Sequence, residues 1–142
     1  MRKSGKEPAK LRAQTRSAVE GEALLARVAE IMDELKAENI TALDLHGVAD
    51  VADYFLIATM RSGAQMRTIA RKIHDTLKLE GIRPVGPIED ESPKWTILDY
   101  GNVVVHLFDK EAREHYQLEQ VWGDAQEVDW SVGLTMERQA AR

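Results

Sequence analysis

The chain has 142 residues, enough for one domain with a real core and too few for two. Its 44% apolar and 30% charged residues suit an ordinary globular chain. No apolar run approaches the roughly 18 residues of a membrane span or reads as the h-region of a signal peptide. Cysteine is absent, which excludes disulfides, thiolate nucleophiles and thiolate zinc sites and suits a reducing cytosol.

The net charge of −5 is unevenly spread. Residues 1–19 hold six basic side chains against Glu7 alone (+5), and the rest holds 13 basic and 23 acidic residues (−10). An acidic domain repels phosphate and attracts a basic protein, so nucleic-acid binding by the folded part is disfavoured. The basic arm offers at most a minor RNA contact, its plainer reading being a disordered, solvated tail. Its Arg- and Ser-bearing start also faintly resembles an organelle transit peptide, without a convincing apolar face.

Leu24, Val28, Ile31 and Leu35 recur at helical spacing among charged residues and predict an amphipathic helix. ITALDL (40–45) predicts a strand and HGVADVAD (46–53) a connection. YFLIAT (54–59) predicts a second strand, apolar nearly throughout and so central or covered on both faces. Ser62 and Gln65 form a capping box at the start of a helix whose buried stripe is Met66, Ile69, Ile73 and Leu77. Arg67, Arg71, Lys72 and Lys78 face out, and Gly81 suits the helix end. In IRPVGPIEDESP (82–93) a short strand limited by Pro84 and Pro87 is expected, then an acidic loop.

Gly101-Asn102 fits a type II′ hairpin turn, which pairs Asp99 with Val104, Leu98 with Val105 and Ile97 with His106. One face then carries Leu98, Tyr100, Val103, Val105 and Leu107, a dry core face. The other collects Trp95, Ile97, Asp99, Val104, His106 and Phe108, a face that the aliphatic core does not claim. A final helix is expected from the N-cap Asp109, with Ala112, Leu118 and Trp122 inward and Tyr116 at its edge. Beyond Trp122 the pattern fades. The expected organisation is a basic disordered arm (1–20), a domain (21–125) and a flexible tail (126–142). The order of elements argues for a single α/β domain, a mixed sheet flanked by helices.

Two constellations carry chemistry. Asp99 and His106 are diagonal neighbours, and such a pair can act as a general base, but no GxSxG, P-loop or cysteine supplies a nucleophile. Asp44, His46, Asp50 and Asp53 cluster around the first connection, where oxygens can hold magnesium or aspartates simply make turns. Without a catalytic residue, metal or cofactor assigned, a sheet face with aromatic, aliphatic and polar groups suits protein recognition better.

DYFLIAT, the Ser62–Gln65 helix start and above all WTILDYGNVVVHLFDKEAREHYQLEQVWGDA resemble the ribosomal silencing factor family (RsfS, or Iojap-like). The similarity runs from about Leu24 to Ala125, and its motif is carried by Trp95, Asp99-Tyr100-Gly101, Val103 to His106, Arg113, Tyr116, Leu118-Glu119 and Trp122. The resemblance implies a nucleotidyltransferase-like fold without that activity or its cofactors. It further implies a bacterial cytoplasmic protein, with organellar origin left open, and no membrane role. The implied partner is the large ribosomal subunit, bound through a basic protein of its intersubunit face, large-subunit protein fourteen. Bound there, a family member blocks joining of the small subunit and represses translation. A homodimer stays open. The partner-binding residues expected are Trp95 and Asp99 at the centre, His106 supporting, and Arg113, Tyr116 and Glu119 around them. A departure lies in MRSGAQMR (60–67), where the family pattern would place a glycine near Met60, an acidic residue near Gly63 and an arginine near Ala64. The alternative reading is a metal- or nucleotide-dependent transferase using Asp44, Asp50 and Asp53 or the Asp99–His106 pair.

Overall fold

All seven residues of Tyr54–Met60 are buried, because this strand lies inside the sheet with packed side chains on both faces. The structure, a computed structural model, describes residues 9–92 and 94–131, with backbone alone for 9–20 and 89–92. In chain order the elements are α1 (Ala9–Glu34), β1 (Glu38–Asp44), β2 (Tyr54–Met60), α2 (Gly63–Leu79) and β3 (Glu89–Ser92). They continue with β4 (Trp95–Asp99), β5 (Val103–Asp109), α3 (Lys110–Tyr116), α4 (Leu118–Val121) and β6 (Gln126–Val128). The six strands form one sheet in the order β3-β4-β5-β2-β1-β6, parallel between β2 and β5 and antiparallel elsewhere. The expected mixed-sheet α/β domain is thus what the chain forms.

α1 and α2 cover one face. Leu24, Val28 and Met32 from α1 and Met66, Ile69, Ile73 and Leu77 from α2 meet Leu98, Val103, Val105 and Leu107 of the sheet. α2 starts as its sequence demands, with Ser62 Oγ accepting from the Gln65 amide at 3.0 Å. Gln65 does more than the capping box requires. Its Oε1 accepts from the Arg61 amide rather than from Ser62, and its Nε2 donates to the carbonyls of Leu35 and Lys36. One side chain thereby ties the start of α2 to the end of α1.

The hairpin register matches the count outward from its turn: Asp99 faces Val104, Leu98 faces Val105 and Ile97 faces His106. Gly101 takes φ +85°, which its lack of Cβ permits.

Four expectations need correction. The strand in 82–93 is the acidic segment Glu89–Ser92 itself, and the Pro84–Pro87 part is loop. An edge strand bonds on one side only, so charges are admissible there, whereas prolines lack the N–H that pairing needs. The expected arm is helical in part: from Ala9 the backbone already belongs to α1, since residues such as Ala9, Leu11 and Ala13 extend a nucleated helix at little cost. The tail opens instead with β6, which pairs with β1 through Ala42–Val128, and Trp130 packs on the first core. Residues 1–8 and 132–142, the rest of the expected arm and tail, lie outside the described residues. Finally, the last helix is two short ones, because Gln117 sits in the left-handed region (φ 49°, ψ 50°).

Candidate functional site

The face bearing Trp95 is not left free of core. Leu43, Leu45, Phe55, Ile57, Val104 and Phe108 form a second hydrophobic cluster on it, closed by Ala112, Leu118 and Trp122. Alternation along β4 and β5 put these residues on one side as expected, but α3 and α4 fold back over most of them. What stays accessible is the rim: half-buried Trp95 and Ile97, exposed Asp99, and Tyr116 at 43% exposure.

That rim is built on a rigid aromatic stack. The Trp95 ring lies on Phe108 (centroids 4.9 Å, interplanar 28°) and against Tyr116 (4.7 Å). Phe108 is fully buried. Trp95 Nε1 donates to Nδ1 of His106 at 3.2 Å, and Phe55 packs against the imidazole at 4.6 Å. His106 is buried, and desolvation pushes its pKa down to about 3, so it is neutral near pH 7. It can support Trp95 from beneath, and it is too deep to be touched by a partner.

Asp99 and His106 do not form a dyad. Asp99 Oδ1 accepts from the Gly101 amide at 2.8 Å and holds the hairpin turn, while His106 is engaged by Trp95. A strand register brings residues near each other without deciding where their side chains turn.

Arg113 is spoken for as well. Its side chain is only 12% exposed. Nη1 donates to the Asn39 carbonyl (2.6 Å) and Thr59 Oγ1 (2.9 Å), Nη2 to Thr41 Oγ1 (3.0 Å), and Nε and Nη2 both to Glu119 Oε2. The acceptor carbonyl is presented by a register shift in β1 between Glu38 and Thr41, where Asn39 takes φ 50°. Six residues apart, Arg113 and Glu119 would lie on different sides of an unbroken helix; the left-handed Gln117 brings them together. This clasp lines an open polar cleft of about 570 Å³ with Glu38, Lys110 and Gln117. Sequence reading missed Asn39, Thr41 and Thr59 as its partners, since contacts more than fifty residues apart leave no local pattern.

Around the first connection, His46 bridges two of the expected acids. Its Nδ1 lies 2.6 Å from Asp44 Oδ1 and its Nε2 3.3 Å from Asp53 Oδ1, with its ring edge-on to Tyr54. Among the described residues no group of three such acidic or histidine side chains is arranged to hold a metal ion. Tyr54 donates to Glu22 (3.3 Å), and burial together with Glu22 and Asp44 pushes its phenol well above its usual pKa. Glu22, Tyr54, Asp129 and Trp130 line a cavity of about 210 Å³ that the sequence did not suggest. A tryptophan in a presumed tail was the one available signal.

Residues 18–142 match the family model described as ribosomal silencing factor during starvation. The chain belongs to the ribosomal silencing factor family. The match reaches beyond 24–125 at both ends, which agrees with β6 and Trp130 being part of the domain. The RsfS protein of Bacillus subtilis strain 168 is 40% identical over 111 residues, covering 78% of this chain and 94% of that protein. The mitochondrial Iojap-related protein of Arabidopsis thaliana is 34% identical over 102 residues, 69% of this chain and 55% of that one. A crystal structure from Chromobacterium violaceum, 30% identical, superposes with a TM-score of 0.63 over 68% of this chain and 80% of its own. Family membership thus extends to bacterial and organellar relatives. Among the described residues no helix is long and apolar enough to cross a membrane.

Proposed function

We propose that this silencing factor docks on the large ribosomal subunit through a basic protein of its intersubunit face, large-subunit protein fourteen, and represses translation by occupying the place of the small subunit. The mechanism is occlusion and asks for no bond to be made or broken. The observation that carries it is the half-exposed Trp95–Tyr116 pair, rigidly seated on Phe108 and His106 beside exposed Asp99. Rigid aromatic anchors within a polar rim are what binding hot spots are made of. Trp95, Asp99 and Tyr116 would make the contact, with His106 supporting from below. Arg113 and Glu119 act by clasping α3 and α4 in place, Glu119 being the more accessible of the two. The charge of −10 over residues 20–142 matches a basic partner.

A transferase using Asp44, Asp50 and Asp53 has less support, because His46 already engages two of those carboxylates and no group of the described acids and histidines is arranged to hold a metal ion. The deciding experiment is gradient sedimentation of purified small and large subunits with and without excess protein. Subunits should stay apart in its presence. If they join equally well, occlusion is wrong.

A further inference from the structure

Arg67 and Arg71 stand about one turn apart on the exposed side of α2, and neither enters an ion pair among the described residues. They belong to a local reversal of charge. From Arg61 to Arg83 the chain carries six basic residues, all exposed, against Asp75 and Glu80. Glu80 is paired with Arg27, and Asp75 approaches the adjacent His74 at 3.3 Å. In a domain whose overall charge is strongly negative, this concentration of exposed cations on and beside one helix enters no ion pair among the described side chains.

Its geometry is that of a ridge. At 3.6 residues per turn, Arg67, Arg71, His74 and Lys78 fall within an arc of about 60° and extend roughly 16 Å along the helix. The ridge borders an open cleft of about 540 Å³, with Ile88 and Thr96 among its lining. Beyond it lies the sheet's edge strand β3, Glu89–Ser92. The length of the ridge suits an extended anionic polymer rather than a small ion. Arginine forks pair with phosphate oxygens two at a time, and a rise of about 3.4 Å per nucleotide on each strand sets several phosphates along such a length. Trp95 and Thr96 are neighbours in β4, yet one belongs to the aromatic face and the other lies under Met66 of α2. The proposed protein contact and the ridge therefore flank one β3–β4 edge.

We propose that the Arg67–Arg71–Lys78 ridge of α2 binds the phosphate backbone of duplex ribosomal RNA next to the protein partner. The inference rests on the ribosome-docking reading above and adds to it a second, electrostatic contact that orients the domain.

The test uses the full chain, Arg67→Glu/Arg71→Glu, and Arg67→Gln/Arg71→Gln, with thermal melts to confirm that these exposed changes leave the fold intact. Affinity for an RNA duplex of about 20 base pairs is measured across a salt series. The reversal should lower affinity at least about tenfold at low salt, and the slope of log affinity on log salt should shrink by about two, one per lost phosphate contact. The glutamine variant should show the same slope with a smaller loss. Equal affinity and slope in all three proteins would overturn the inference. So would a loss arising only on reversing Lys3 and Lys6 in the arm, or tighter binding to polyglutamate than to duplex, which would mark an acidic protein as the partner. Cosedimentation of the wild-type chain with large subunits is run in parallel: its failure would sink the docking reading, while the duplex titration still decides the ridge.

Discussion

The indole Nε1 of Trp95 donates to Nδ1 of His106 at 3.2 Å, and this one bond decides the state of the imidazole. An indole N–H can only donate, so Nδ1 must accept and the ring proton must sit on Nε2. That Nε2 is buried with no hydrogen-bond partner among the described residues. The half-buried tryptophan is thereby held by a histidine whose charged form burial strongly disfavours.

A pH dependence follows. The unfolded chain's His106 takes up a proton below about 6.5, while the folded group stays neutral until about 3. Between those values the unfolded state binds more protons, so stability falls as pH falls, by up to about 1.4 kcal/mol per pH unit. His106→Gln, which keeps an acceptor for Trp95, should remove this slope. From pH 7 to pH 5 the wild type should lose melting temperature relative to the variant; parallel curves would refute the assignment.

Tyr116→Ala is the cleanest probe of the docking face, because the ring is 43% exposed and little of the core depends on it. Affinity for the isolated basic ribosomal protein should fall by about 1–2 kcal/mol with only a small change in melting temperature. Trp95→Ala should cost at least about 2 kcal/mol of binding and also lower stability, since Trp95 packs on Phe108. Asp99→Asn should weaken binding if Asp99 meets a cation. Wild-type affinity in folded variants at all three positions would rule this face out.

Arg113→Ala should destabilise the domain by about 2 kcal/mol, because it strips partners from two threonines, a carbonyl and a partly exposed carboxylate. Arg113→Lys should rescue little, since one ammonium cannot reproduce the fork. Chemical denaturation reads both. A loss of binding in Arg113→Ala without loss of stability would show that the arginine contacts the partner directly.

Gln117→Gly should raise stability by up to about 1 kcal/mol, as glycine adopts the left-handed conformation without the Cβ clash. An unchanged or lower melting temperature would mean that the Gln117 side chain contributes something the geometry does not reveal.

Local rules carried much of this protein in the sequence itself. A β-turn with glycine at its first central position sets register by counting, so Asp99–Val104 and Ile97–His106 could be paired before any fold was known. A 3.6-residue period exposed the α2 stripe, and Ser62 and Asp109 marked helix starts because a side-chain oxygen there satisfies a free amide. The resemblance in residues 95–125 named the family. Tertiary structure decided what depends on distant partners. Whether the Trp95 face is bare or covered rests on α3 and α4 folding back, and the break that permits this is stabilised by Arg113 meeting Asn39, Thr41 and Thr59. Asp99 and His106 are close by register, but a turn amide and an indole claimed them separately. Strand β6 has little pattern of its own and exists because β1 offers it an edge, where backbone pairing needs no particular side chains.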